Sequence, residues 1–136
     1  MLEKITLRTA ARQELVNVTD QVKSIVARSA VTDGMCYVFN PHSTAGLTVN
    51  SYLDPNTPKD IVHEIDRLVP TRYDFFHAND TPSDAAAHVK TTLTGLEMWF
   101  FIADGALVLG RSQGILFAEF DGPRNRELIV KVIADR

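Results

Sequence analysis

Residues 40–54, NPHSTAGLTVNSYLD, combine one histidine, His42, with the small hydroxylated Ser43 and Thr44, a glycine at position 46, and the alternating run Leu47-Thr48-Val49-Asn50. Alternation at period two is the pattern of a half-buried strand. Pro41 has no amide hydrogen to give to a ladder, so His42 falls where the strand begins. A titratable side chain held by a rigid element marks this stretch as a candidate site.

Working outward toward the N-terminus, Met35 to Phe39 is a short apolar run of β-forming residues and reads as a central strand, entered from the turn Asp33-Gly34. Before it, Val22, Ile25 and Val26 form the stripe of an amphipathic helix that ends near Ser29 or Ala30, with Thr19 as the predicted N-cap and Asp20 in the first turn. Leu2 to Arg8 reads as a strand and Leu15 to Val18 as its partner.

Working toward the C-terminus, Thr57 caps a second helix, with Pro58 in the first helical position, Ile61, Ile65, Leu68 and Val69 on its buried face, and Pro70 as its stop. Residues 71–82, TRYDFFHANDTP, form the longest irregular segment and carry His77. A third helix from Ser83 to Thr94, closed by Gly95, carries His88 and Lys90, with Ala85, Val89 and Leu93 turned inward. The remainder is β: Glu97 to Ala103, Ala106 to Leu109, Gly114 to Phe120 and Glu127 to Ile133, joined by Gly-containing turns. Early strands, interleaved helices and a β-rich end imply an α+β protein with helices packed on antiparallel sheet.

The 136 residues fit one domain over 1–136, with 45% hydrophobic and 23% charged residues. A net charge of -3 provides no global attraction to nucleic acid or to an anionic membrane. The single cysteine, Cys36, precludes an intrachain disulfide and fits a reducing compartment. The opening MLEKITLRT does not read as a signal peptide, and no stretch reaches the roughly 20 apolar residues of a membrane helix. A cytoplasmic protein is predicted.

Chemistry-bearing residues are few. His63 lies opposite its helix's apolar stripe and reads as a solvated surface group. His42, His77 and His88 come from a strand start, a loop and a helix; they are either three unrelated polar histidines or the three imidazoles of a gathered metal site. Lys90 is displaced by about 200 degrees from His88 around the helix, so the two cannot both point into one pocket. Lys90 reads as a solvated charge, His88 as a core histidine or a ligand. Arg124, in the turn Asp121-Gly122-Pro123-Arg124-Asn125-Arg126, can clamp a phosphate or carboxylate by a two-pronged contact, or is an ordinary turn residue. Glu119 sits in an apolar strand, where a charge is costly unless paired; turned inward near Arg124 or a histidine, it would be a site residue. Cys36 reads as a small buried hydrophobe. No P-loop, dinucleotide fingerprint or G-x-S-x-G is present.

These stretches together resemble the YjbQ family, also called the secondary thiamine-phosphate synthase family. The resemblance rests on HSTAGLTVN at 42–50 with Asp54-Pro55, on Arg67-Leu68-Val69-Pro70, and on His77 with Asn79-Asp80. It continues through Ala87-His88-Val89-Lys90, Leu109-Gly110, Gln113-Gly114-Ile115, Glu119 and the turn at 121–126. It implies a β-sandwich with about three helices, assembled as a homotrimer. It also implies a site near the subunit boundary, built from His42, His77 and His88, for a metal ion or an oxyanion, zinc being the simplest metal. Arg124, Lys90 and Asn50 would face a phosphorylated small-molecule substrate, and Glu119 would orient a histidine or take a proton. The implied activity is thiamine phosphate formation from a pyrimidine pyrophosphate and a thiazole phosphate; the other expectation is a non-catalytic trimer that binds a phosphorylated metabolite. Ser51 stands where the family usually has Glu, and Arg111-Ser112 where it usually has Thr-Trp.

Overall fold

The computed structural model describes residues 2–136. Two antiparallel sheets face one another. The larger contains β1 (Leu2–Arg8), β3 (Gly34–Phe39), β5 (Glu97–Ala103), β6 (Ala106–Leu107) and β8 (Asn125–Ala134), in the order β1-β8-β3-β5-β6. The smaller contains β2 (Glu14–Asn17), β4 (Ala45–Ser51) and β7 (Gln113–Glu119), in the order β2-β7-β4. Between them lies the main core: Ile5, Cys36, Val38, Phe100, Ile102, Leu128 and Val130 from the larger sheet meet Leu47, Ile115 and Phe117 from the smaller. Period-two alternation accounts for this, since the buried residues of β3, β5 and β8 fall at alternate positions.

Three helices complete the α+β architecture. Helix α1 (Thr19–Ser29) adds Val22, Ile25 and Val26 to the main core, as their spacing predicts. Helices α2 (Asn56–Leu68) and α3 (Pro82–Thr94) cover the other face of the smaller sheet, where Ala87, Ala118 and Phe120 form a second, smaller core with Leu15 and Ile65. Thr81 caps α3, its side chain accepting the Asp84 N–H, and Gly95 ends the helix at φ 92°, a conformation that favours glycine. Gly46 lets α3 lie against β4: a Cβ there would meet Thr94 Oγ1 at 2.0 Å.

Several local expectations are corrected. The segment at 15–18 does not pair with β1; β2 pairs with β7, and β1 pairs with β8. Strand patterning identifies a strand but not its neighbour, because the pairing is non-local. Thr19 is the first residue of α1 rather than its cap: its hydroxyl donates to Asn17 Oδ1 and accepts the Ile115 N–H, tying the helix to β7. Asn56 opens α2, its N–H bonded to Asp54 Oδ1, so Thr57 does not cap it. The buried face predicted for α3 is rotated. Val89 and Leu93 are exposed, while Ala86, Ala87, Lys90 and Thr91 are buried.

Candidate metal and anion site

The site is built from the loop 71–82, the first turns of α3 and the turns beside β4 and β8. Thr81 sets the start of α3, and a four-residue spacing then places Asp84 and His88 on one side of the helix. His77 reaches the same place from the preceding loop. His77 Nε2 lies 2.7 Å from Asp84 Oδ2 and 3.4 Å from Asp80 Oδ2, and His88 Nε2 lies 3.3 Å from Asp84 Oδ2. One ligand atom from each of His77, Asp84 and His88 falls within 4.8 Å of the others. Both imidazoles are 42% exposed and the carboxylate 14%, so the cluster is open on one side. His88 Nδ1 donates to the Ser43 carbonyl at 3.1 Å, which turns Nε2 toward Asp84. Burial pushes the Asp84 carboxyl up, but the hydrogen bond from His77 and the charges of His88 and His77 outweigh it and hold the group below the usual carboxylate range. Two imidazole nitrogens and one carboxylate oxygen suit a divalent transition ion.

His42 is not a member of this group. It shares with His88 the lining of a neighbouring cavity of about 580 Å³, along with Asn40, Ser43 and Leu96. Its Nε2 accepts the Glu127 N–H at 2.9 Å. Burial, and next the charge of Arg126, hold its pKa below the ordinary value, so the ring is kept neutral. Asn40, fully buried, positions it: Oδ1 accepts the His42 N–H and Nδ2 donates to the Ala45 carbonyl. Asp84 takes the third place that sequence reasoning had assigned to His42. The sequence did contain a signal for it, an aspartate four residues before a histidine in a helical segment.

Arg124 flanks the cluster. Its Nε and Nη2 donate to the carbonyl and carboxylate of Asp121 at 2.8 and 2.9 Å, which raises its pKa. Asp121 also accepts from Ser83 of α3, at 3.0 Å. The charge of Asp84 reaches Arg124 and adds to that rise. The guanidinium is held rigidly, half-exposed, with Nη1 unbonded among the described residues.

Three other candidates sit elsewhere. Glu119 is fully buried, as its apolar strand implies, but it meets neither Arg124 nor a histidine. Its oxygens accept from Thr9 Oγ1 at 2.7 Å, from Arg126 Nε at 2.9 Å and Nη2, and from the Asp121 N–H at 3.2 Å. Burial raises its pKa, and the bonds from Arg126 and Thr9 more than reverse that, leaving it low. Lys90 is not a solvated charge; it is 1% exposed, bonded to Asp66 Oδ1 at 2.7 Å and Gln13 Oε1 at 2.6 Å on the far side of α3 from His88. Asn50 is at the opposite end of β4, about 17 Å from Ala45 at roughly 3.4 Å per residue. His63 is exposed as expected, and Cys36 is buried, its thiol pushed up to about 11 by that burial.

A family model described as "UPF0047 protein YjbQ-like" matches residues 3–135. A UPF0047 protein of Methanocaldococcus jannaschii is 41% identical over 136 residues, covering 100% of this chain and 96% of its own length. The UPF0047 protein YugU of Bacillus subtilis is 32% identical, covering 98% of this chain and 99% of its own. Among solved structures, an uncharacterised YjbQ/UPF0047 protein of Clostridium acetobutylicum superposes with a TM-score of 0.91 at 40% identity, covering 96% of this chain and 99% of that one. A protein of unknown function from Sulfolobus solfataricus gives a TM-score of 0.93 at 32% identity, covering 99% and 97%.

Proposed function

The chain belongs to the YjbQ-like UPF0047 family, and from that premise we propose that it is a small enzyme that binds a phosphorylated small molecule at the cluster of His77, Asp84 and His88. The observation that carries this reading is the convergence of three donor atoms within 4.8 Å, drawn from a loop and a helix, beside a rigidly held guanidinium. In this reading the three side chains hold a divalent ion, most simply zinc. Such an ion supplies charge neutralisation at a phosphoryl oxygen. Arg124, through Nη1, binds a second oxygen of the same group. His42, neutral with its Nε2 lone pair taken by the Glu127 N–H, offers Nδ1–H as a hydrogen-bond donor to a ligand in the adjoining cavity. Glu119 and Lys90 act by holding the frame, since their polar atoms are engaged inside the protein.

The specific reaction put forward is thiamine phosphate formation, in which a thiazole phosphate nitrogen displaces pyrophosphate from a pyrimidine methylene. Isothermal titration of chelator-stripped protein with zinc chloride tests the ion: one site per chain is expected, weakened by Asp84→Asn. No heat on titration removes the metal from the proposal. Product detection with the two phosphorylated substrates tests the reaction.

A second reading is a non-catalytic phosphometabolite-binding protein, favoured by the openness of the cluster, which excludes no water within one chain. It predicts thermal stabilisation by phosphorylated compounds without turnover.

We further propose a homotrimer. Its support is the outer face of the larger sheet, where Tyr37, Phe39, Trp99, Phe101 and Ile133 stand exposed as one apolar surface, with the Trp99 and Phe101 rings 5.2 Å apart. Sedimentation equilibrium tests it. Among the described residues no helix is long and apolar enough to cross a membrane, and the cytoplasm is the proposed location.

A further inference from the structure

Away from the histidine cluster, α2 and β2 enclose a cleft of about 620 Å³. That volume is within the roughly 300–1,000 Å³ of small-molecule sites. Its apolar walls come from Leu15 on β2 and from Pro58 and Val62 on α2. Helix α2 has a well-formed apolar stripe, yet none of its residues is fully buried. Apolar surface on this helix is therefore left for something else to cover.

The charges around the cleft are unequal in what remains available. Two carboxylates line it, and both are engaged. Glu14 Oε2 accepts the N–H groups of Ala10 and Ala11 at 2.6 and 2.8 Å. Asp66 Oδ1 accepts from Lys90 Nζ at 2.7 Å and Gln13 Nε2 at 3.1 Å. The Lys90 ammonium is buried behind the cleft wall and holds Asp66 there, because swinging Asp66 away would strip a buried charge of its counter-ion. Two cation-capable groups also line the cleft, Lys59 and His63. They are four residues apart on one side of α2, so they are neighbours. Neither has a hydrogen-bond or ion-pair partner among the described residues. One carboxylate tied to backbone amides, one paired with a buried ammonium, and two unpaired cation-capable groups beside an apolar wall make an environment complementary to one class of ligand.

We propose that this cleft is a second ligand site, which takes a small organic acid: an apolar body, aromatic or branched, carrying one anionic group. The body packs on Leu15, Pro58 and Val62 while the anion meets Lys59 and His63. The site is separate from the metal cluster, which lies on the opposite side of α3, and it does not depend on the function proposed above.

The test uses the full chain labelled with ¹⁵N and two probes of like shape, benzoate and uncharged benzyl alcohol. Benzoate is expected to give saturable shifts at the amides of Leu15, Val62 and His63, and to bind about fivefold or more tighter than benzyl alcohol. Replacing both exposed cation-capable groups, Lys59→Glu with His63→Glu, is expected to weaken benzoate by at least that factor while leaving the rest of the spectrum in place. The proposal is overturned if those amides do not shift saturably. Equal affinity for the two probes, or unchanged benzoate binding in the double variant, overturns it as well.

Discussion

The Glu119–Arg126 pair and the His77–Asp84–His88 cluster are both gatherings of ionisable side chains near the mouth of β4. They differ in what each has left to offer. Glu119 and Arg126 are 0% and 5% exposed at their side chains. Thr9 and the Asp121 amide donate to the Glu119 carboxylate, and Thr44 accepts from Arg126 Nη2. His77 and His88 are nearly half-exposed and share the Asp84 carboxylate, with Asp80 also beside His77. Charge that is buried and paired serves the fold, whereas charge that is held in place but open to solvent can serve a ligand. Glu119 and Asp84 look alike in the sequence as lone acids near apolar residues, and only the count of their partners separates them.

The largest expected effect is on the closed pair. Glu119→Ala leaves the Arg126 guanidinium buried without its counter-ion and should cost about 3–5 kcal/mol in urea unfolding. Replacing both partners, Glu119→Met with Arg126→Met, should cost much less, because no orphaned charge remains. Equal losses in the single and double variants would mean that packing, not charge pairing, sets the cost.

A middle-sized effect is expected in acid. His42 and Glu119 both have folded pKa values below their ordinary 6.5 and 4.5. A group with a depressed folded pKa binds protons more readily when unfolded, so its stabilisation is present above the unfolded value and is lost as pH falls through the folded one. Urea midpoints should therefore decline first as pH drops below 6.5 through His42, then more steeply below 4.5 through Glu119. His42→Gln should flatten the first limb only. A midpoint that rises on acidification would contradict the neutral, buried imidazole.

The smallest expected effect on stability belongs to the open cluster. Asp84→Asn should change the unfolding free energy by less than about 1 kcal/mol, as partly exposed pairs do, yet it should lower zinc affinity by at least about tenfold. If Asp84→Asn destabilises the chain as much as Glu119→Ala does, the two clusters are alike and the functional distinction between them fails.

Elements were legible in the sequence where local pattern decides. The alternation of Leu47 and Val49, the Val22-Ile25-Val26 stripe and Gly95 at a helix end each produced the expected structure. Faces and partners were less legible. In α3 the run of alanines at 85–87 carries no phase, and Val89 and Leu93 point outward because small residues and Lys90 fit the closer approach to the sheet. His77 and His88 were legible as site candidates; for Asp84 only the four-residue spacing to His88 was legible, whereas its distance to His77 is encoded by no spacing in the chain.

By itself, then, the sequence determined the family, the α+β class, the succession of strands and helices, and which imidazoles merit attention. It did so because periodicity, caps and turn residues act over a few positions. Tertiary structure alone decided that β2 joins β7, that Lys90 is buried against Asp66, that Glu119 is matched by Arg126 rather than Arg124, and that Asp84 rather than His42 completes the cluster. The physical reason is that partnership between side chains depends on separations of about 3 Å, set by packing residues far apart along the chain.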